Sequence, residues 1–408
     1  MSTPEVAAAV AAAHRDHWAM VLAATAATSR DLDLAEDAAQ EAFAQSLTAW
    51  AETGVPDNPG GWLTTTARRR ALDAMRRRRT LERKLPLLVW DDDADVGAPE
   101  ADERVADEAA PVVLDEQLRL IFLTAHPALA PTSRIALTLR LVGGLSTVQI
   151  ADAFLVPEPT MAARPTRAKK RIRLSRIPCR VPGAGELEER LVDVLDVVSV
   201  LLATPSADVL EAATGMLEVL VRMLPVRTEP RGLLAHALLL RARAGTRTDE
   251  RGRPVALADQ DRERWDRELV DRADDLVTGA LADGGRGPYL IQGAIAAAVA
   301  VPRRHGDIDW GEVVELYDLL LAHWPTAIVR LGRTVAVAEV EGAGAALALL
   351  TPLADELEDH RPFHVIRGEL LTRCGEHAAA AEAFRTALDR RGDPGEEELL
   401  EEMLQRAT

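Results

Sequence analysis

An all-α chain of several compact units is what this sequence predicts, and three observations carry the expectation. Helix-favouring Ala, Leu and Arg are abundant, while aromatics make up 3% of the 408 residues and β-branched runs are short. Apolar residues recur at helical spacing, as in Leu34, Ala38, Phe43, Leu47 and Trp50. Gly/Pro clusters cut the periodic segments into helix-sized pieces, and a chain of this length is expected to hold about two to four domains.

Residues 5–29 read as an alanine-rich helix, and a second begins near Asp31 to Asp33. The turn cluster from Gly54 to Gly61 precedes a third, which starts near Trp62 and runs through an arginine block until Pro86. From Asp91 to Glu108 the chain is acidic and aperiodic, which predicts a mobile linker. Helical periodicity resumes at Leu114, and a helix follows from Thr132 to Val142 after His126-Pro127 and Pro131. Next come a short helix from Ser146 to Ala153, a turn at Phe154 to Pro157, and a basic helix from Glu158 to about Arg176. That order predicts a helix-turn-helix.

Pro178, Pro182, Gly183 and Gly185 mark a second boundary, beyond which one helix follows another. Near the end, Gly368, Gly375, Ala380, Phe384 and Ala387 sit at the offsets where a tetratricopeptide repeat packs small residues and an aromatic knob between paired helices. Tyr317 and Pro325 share the offset of that repeat's closing aromatic and proline. Leu331-Gly332 precedes Arg367-Gly368 by 36 residues, close to the repeat period of about 34. A tetratricopeptide-like helical superhelix is the expectation.

The net charge of −17 conceals how charge is distributed. Arg68 to Lys84 holds nine basic residues against Asp73 and Glu82. Pro86 to Glu116 holds eleven acidic residues against Arg104 alone, and Glu158 to Arg180 holds eight basic residues against Glu158. Everything after residue 182 carries 25 basic and 41 acidic residues. Two basic blocks separated by an acidic linker form a nucleic-acid pattern. Cys179 and Cys374 have no His or Cys neighbours at ligand spacing, which argues against a disulfide framework or zinc site. No apolar stretch reaches roughly 18 residues and no signal peptide is visible, so a cytoplasmic protein is expected.

Three motifs narrow the function. In Leu34–Phe43, Asp37, Gln40, Glu41 and Ala44 form a polar stripe beside the apolar one, a pattern that alone reads first as a solvated amphipathic face. In Asn58–Arg79, exposed arginines can neutralise phosphates. An aromatic near the helix start, Trp62, can stack on an unpaired base or anchor the helix in the core. The stretch Thr124–Ile172 contains the helix-turn-helix.

In this order the motifs resemble those of extracytoplasmic-function sigma factors of the sigma-70 family, in the group bearing a long C-terminal tetratricopeptide-like domain. The resemblance implies two small sigma helical domains, region 2 at residues 1–85 and region 4 at 113–181. An acidic linker at 86–112 joins them, and an acidic regulatory extension follows at 182–408. It assigns docking on core RNA polymerase to Asp37, Gln40, Glu41 and Phe43, by analogy with region 2.2 on the β′ clamp helices. Contacts to the −10 element fall to Trp62, Thr65, Arg69, Arg70, Arg76 and Arg77. Relatives commonly carry Ala-Arg-Asn where this chain has Ala67-Arg68-Arg69, so Arg69 is only a positional equivalent. For the −35 element, Thr160, Met161 and Arg164 are placed to reach base edges, and Arg167, Lys169, Lys170 and Arg171 to reach phosphates.

Pro165 departs from the family's usual apolar residue, and predicts a recognition helix that is kinked or shorter than drawn. Glycine-led segments at Gly232, Gly252 and Gly287 resemble the same group's extension. Within them Asp259, Asp261 and Asp266 sit around a helix start, where carboxylates cap. His126 has no ligand partner nearby and reads as a turn or core histidine.

The resemblance implies a non-enzymatic factor without metal or cofactor. Its partners would be promoter DNA and core polymerase through the β′ clamp and β flap. A protein or small-molecule regulator on the extension is a further partner it allows, and no membrane is involved. The alternative is a degenerate relative that serves as a non-initiating helical scaffold or transcriptional regulator.

Overall fold

The computed structural model describes residues 3–84, 109–390 and 394–408, which form two compact units divided between Leu224 and Pro225. Among the described residues the regular structure is helical, apart from an isolated bridge between Thr248 and Pro254. The all-α expectation therefore holds. Most of the expected acidic linker lies outside the described residues.

The first unit opens with α1 (Thr3–Ser29), α2 (Leu32–Thr53) and α3 (Pro59–Lys84). Asp31 caps α2 by accepting from the Asp33 and Leu34 amides. The Asn58 side chain accepts from Gly61 N at the start of α3, so that helix begins earlier than Trp62. Trp18, Leu22, Phe43, Trp50, Leu63 and Ala67 make the core of this three-helix packing.

Then follow α4 (Ala109–Thr124), α5 (Pro131–Leu141), α6 (Thr147–Ala153) and α7 (Glu158–Leu174). α6 starts with a reciprocal capping box between Ser146 and Gln149. α7 runs without interruption through Pro165, so of the two expectations there, a kinked or a shortened helix, the shortened one is not met. Its buried seam of Met161, Ala168 and Ile172, spaced at i, i+7 and i+11, holds the helix against its neighbours on both sides of the proline.

The unit closes with α8 (Leu187–Leu202) and α9 (Ala207–Met223). Composition assigns both to the extension. Their apolar faces, Leu191, Val194, Leu195, Val198 and Leu201 on α8 and Val209, Ala213, Leu217 and Leu220 on α9, are instead buried within the first unit. Arg190 of α8 donates to Phe122 O on α4 at 2.7 Å, and Arg134 of α5 pairs with Asp193 of α8 at 3.5 Å.

The second unit contains α10 (Thr228–Ala242), α11 (Arg267–Ala282), α12 (Pro288–Ala300), α13 (Trp310–His323), α14 (Ala327–Val340), α15 (Ala343–Leu350), α16 (Arg361–Arg373), α17 (His377–Leu388) and α18 (Pro394–Ala407). The tetratricopeptide offsets correspond to real packing. Phe384 of α17 lies over Gly368 of α16, where a Cβ would stand 2.4 Å from the ring. Tyr317 of α13 covers Gly332 of α14 in the same way, with a Cβ 2.8 Å from its hydroxyl. Asp266 caps α11 and Asp261 caps the short turn before it, so both are structural carboxylates. Between them, Trp265 is buried and donates to Thr246 Oγ1 at 2.9 Å. The Arg262 guanidinium stacks on the Trp265 ring at 4.5 Å and donates to Val299 O in the last turn of α12 and to Pro302 O just after it.

Two stability measurements check this packing. Gly368→Ala is expected to destabilise the chain by about 1–3 kcal/mol through collision with Phe384, whereas Gly344→Ala, in open space on α15, stabilises it by a few tenths. Equal melting temperatures for the two variants would contradict the packing. Pro165→Ala restores the amide missing from α7 and is expected to stabilise by about 2–3 kcal/mol in urea unfolding. An unchanged midpoint would mean that the proline is accommodated without cost.

Candidate nucleic-acid interface

α3 supplies the first basic surface. At about 100° per residue, Trp62, Thr65, Arg69 and Arg76 fall in one stripe, with Arg70 and Arg77 beside it. Thr65, Arg69, Arg70, Arg76 and Arg77 are exposed. Trp62 is half-buried and meets Trp50 edge-on at 5.7 Å, so one ring combines a core anchor with an accessible side. Arg70 is partly engaged within the unit, donating to Gln45 Oε1 at 3.0 Å and lying 3.8 Å from Glu41. Arg68, which the motif groups with the DNA-facing arginines, points inward and donates to Ala24 O at 3.3 Å.

On α2, Asp37, Gln40 and Glu41 are exposed as expected of a docking face. Phe43 is not. It is 6% exposed and packs against His14 at 5.0 Å and Trp18 at 5.9 Å between ring centroids. Its apolar spacing with Ala38 and Trp50 already put it on the core side of the helix, so it is the docking role implied by the resemblance that does not fit.

α7 presents three faces. Met161, Ala168 and Ile172 turn inward, and Met161 is 1% exposed, so it is a core residue and does not reach a base edge. Thr160, Arg164, Arg167 and Arg171 form an outward stripe; Arg164 is half-buried with Nη1 3.9 Å from Met161 Sδ, and the other three are exposed. Lys170 is exposed between this stripe and a third face, which carries Lys169 and Arg173. Lys169 donates to Asp33 Oδ1 at 2.8 Å and to Glu36 Oε2 at 2.6 Å on α2. Arg173 donates to Asp33 Oδ2 at 3.0 Å, and Arg140 of α5 to Glu36 Oε1 at 2.6 Å. Burial alone would lower the Lys169 pKa, but its hydrogen bonds to both carboxylates outweigh this and hold it above the ordinary lysine value. These long-range pairs leave no local mark in the sequence.

Two further contacts join the same surfaces. Trp18 Nε1 donates to Leu141 O at 3.2 Å, and Gly144 lies against the Trp18 ring. Gly144 has φ +68°, and a Cβ there would stand 2.7 Å from the indole, so position 144 needs glycine on both counts.

Below α3 lies an open cavity of about 1060 Å³. Trp62, Thr65 and Arg68 line one side, while Asp208, Glu211 and Glu218 of α9 line another. Gln149 of α6 donates to Asp208 at 2.8 Å, which ties α9 to the helix-turn-helix. Among the described residues no group of three His, Cys, Asp or Glu side chains is placed to hold a metal ion. None of the described helices is long and apolar enough to cross a membrane.

Residues 15–80 match sigma-70 region 2, residues 119–172 match sigma-70 region 4, and residues 203–281 match a family of unknown function (DUF6596). An uncharacterized protein of Rhizobium meliloti (strain 1021) is 40% identical over 369 residues, which span 88% of this chain and 86% of that protein. A probable ECF RNA polymerase sigma factor, SigI, of Mycobacterium tuberculosis is 33% identical over 177 residues, 43% of this chain and 58% of its own length. The region 2 match covers the α1–α3 core with its arginine stripe, and the region 4 match covers the helix-turn-helix through Ile172. The chain accordingly belongs to the extracytoplasmic-function sigma factors of the sigma-70 family, in the group with a long helical C-terminal domain.

Proposed function

We propose that this protein works in the cytoplasm by directing core RNA polymerase to specific promoters, with α3 engaging the −10 element and α7 the −35 element. The observation that carries this reading is the stripe of Trp62, Thr65, Arg69 and Arg76 along α3. An aromatic at its start can stack on an unpaired base, and the arginines along its length can follow a phosphate backbone. Asp37, Gln40 and Glu41 dock on the β′ clamp, and region 4 meets the β flap. Thr160, Arg164, Arg167, Lys170 and Arg171 face the −35 duplex.

The extension acts in cis. Its 41 acidic against 25 basic residues oppose the two basic blocks, and α9 brings Asp208, Glu211 and Glu218 to the same cavity as Trp62 and Thr65. A regulator bound by the second unit would change this restraint.

Run-off transcription with core polymerase, on DNA from upstream of the protein's own gene, tests the reading. A transcript that requires the added chain is expected, and Trp62→Ala should reduce it about tenfold, as base stacking is worth ~1–3 kcal/mol. No transcript from the full chain or from one ending at Leu224 would favour the non-initiating scaffold. Restraint by α9 predicts that Glu211→Gln with Glu218→Gln tightens DNA binding at low salt, with the difference fading as salt rises. Restraint by the second unit predicts more transcript from the chain ending at Leu224, and equal yields would remove it from the account. That end point keeps α8 and α9, whose removal would uncover core.

A further inference from the structure

The second unit gathers cations where no carboxylate answers them. Arg243 ends α10, Arg247 follows in the loop beyond it, and Arg262 and Arg267 stand on either side of Trp265 in sequence. The guanidinium groups of Arg243 and Arg262 lie against the same buried Trp265 ring, 5.9 and 4.5 Å from its centroid. His236 is half-buried two turns before Arg243, on the same face of α10. The nearby carboxylates do not neutralise this group, because Asp261 and Asp266 accept from backbone amides as caps. Among the described residues none of the four arginines forms an ion pair.

Holding the fold together accounts for only part of these donors. Arg262 Nη1 donates to Val299 O and Pro302 O, and Arg267 Nη2 to Val301 O, so both cover the C-terminal end of α12. Arg262 Nε and Nη2, Arg243 Nε and His236 Nδ1 are buried and unpartnered. Arg262 is 7% exposed, and a guanidinium so enclosed is destabilising unless an acceptor meets its remaining donors. The ends of α10 and α12 each offer only about half a negative charge against four cations. Burial, with repulsion from Arg247 and Arg262, pushes Arg243 down to about 10, and burial with Arg243 and Arg247 pushes His236 down to about 4.

We propose that His236, Arg243, Arg247 and Arg262 form a binding site for a small phosphate-bearing anion, gathered around the Trp265 ring. The chemistry selects the ligand. Arginine forks match phosphate oxygens two at a time, and a phosphoryl group carries about −1.5 to −2 at neutral pH, nearer to the uncompensated charge than a single carboxylate. Exposure falls from Arg247, open to solvent, through half-buried Arg243 to enclosed Arg262. A small molecule can reach the inner end of that series, and the backbone of a duplex cannot. The site lies wholly within the second unit and does not depend on promoter reading by the first.

Calorimetric titration of the full-length chain with inorganic phosphate, in chloride buffer at constant ionic strength, tests the site. Saturable binding in the sub-millimolar range is expected, and acetate at the same concentrations should give none. Arg243→Gln should weaken phosphate binding about tenfold, the scale of a hydrogen bond to a charged group. Arg247→Gln, on an exposed side chain whose loss spares the fold, should weaken it about threefold and answers for Arg243→Gln if that variant does not fold. Arg241→Gln removes the same charge from an exposed position on α10 and should leave binding unchanged. Glycerol phosphate distinguishes the source: tighter binding than inorganic phosphate assigns the site to a phosphate ester, equal or weaker binding to the free anion, and either upholds it. No saturable binding at millimolar phosphate would overturn the site. So would equal affinity in the natural chain, Arg243→Gln and Arg247→Gln, which marks a general salt effect. Acetate binding as well as phosphate would overturn the choice of ligand.

Discussion

Glu36 sets the terms for the first unit. The residue is 7% exposed, and a buried carboxylate without a partner costs several kcal/mol, so it must be neutralised from nearby. Its partners come from far along the chain: Arg140 on α5 and Lys169 on α7, each at 2.6 Å. Satisfying this one charge therefore brings the helix-turn-helix onto α2. The indole of Trp18 donating to Leu141 O, with Gly144 beneath the ring, secures the same contact through packing. The division within α7, with Lys169 and Arg173 paired to α2 and Arg167, Lys170 and Arg171 exposed, follows from it.

Much of this architecture was legible locally. Helix starts were written in short-range chemistry, as in the Asp31 cap, the Ser146–Gln149 box and Asp266 at the head of α11. The glycine and aromatic offsets of the repeat turned into close contact at Gly368 with Phe384 and at Gly332 with Tyr317. What failed was the choice of side. Met161 lies early on the recognition helix, where a base contact is expected, yet its spacing to Ala168 and Ile172 puts it on the buried seam. For Phe43 the apolar spacing had the side right, and it is the docking role carried over by resemblance that its enclosure by His14 and Trp18 does not fit. Helical period fixes the angle between residues; which angle faces the core depends on partners distant in sequence.

The domain boundary shows the same limit at a larger scale. Pro178, Pro182, Gly183 and Gly185 interrupt helix periodicity, so composition places the break there. Burial decides otherwise, because the apolar faces of α8 and α9 complete the first unit and the division falls after Leu224. Pro165 is a related case. Proline chemistry predicts a disturbed helix, but the seam on both sides of it keeps α7 continuous.

The central claim, that α3 opens and holds promoter DNA for polymerase, is tested most directly by permanganate probing of unpaired thymines. The template is DNA from upstream of the protein's own gene, mixed with core polymerase. The account predicts reactive thymines in the −10 element only when the chain is added, with reactivity lost in Trp62→Ala. A pattern that is the same with and without the chain would contradict it.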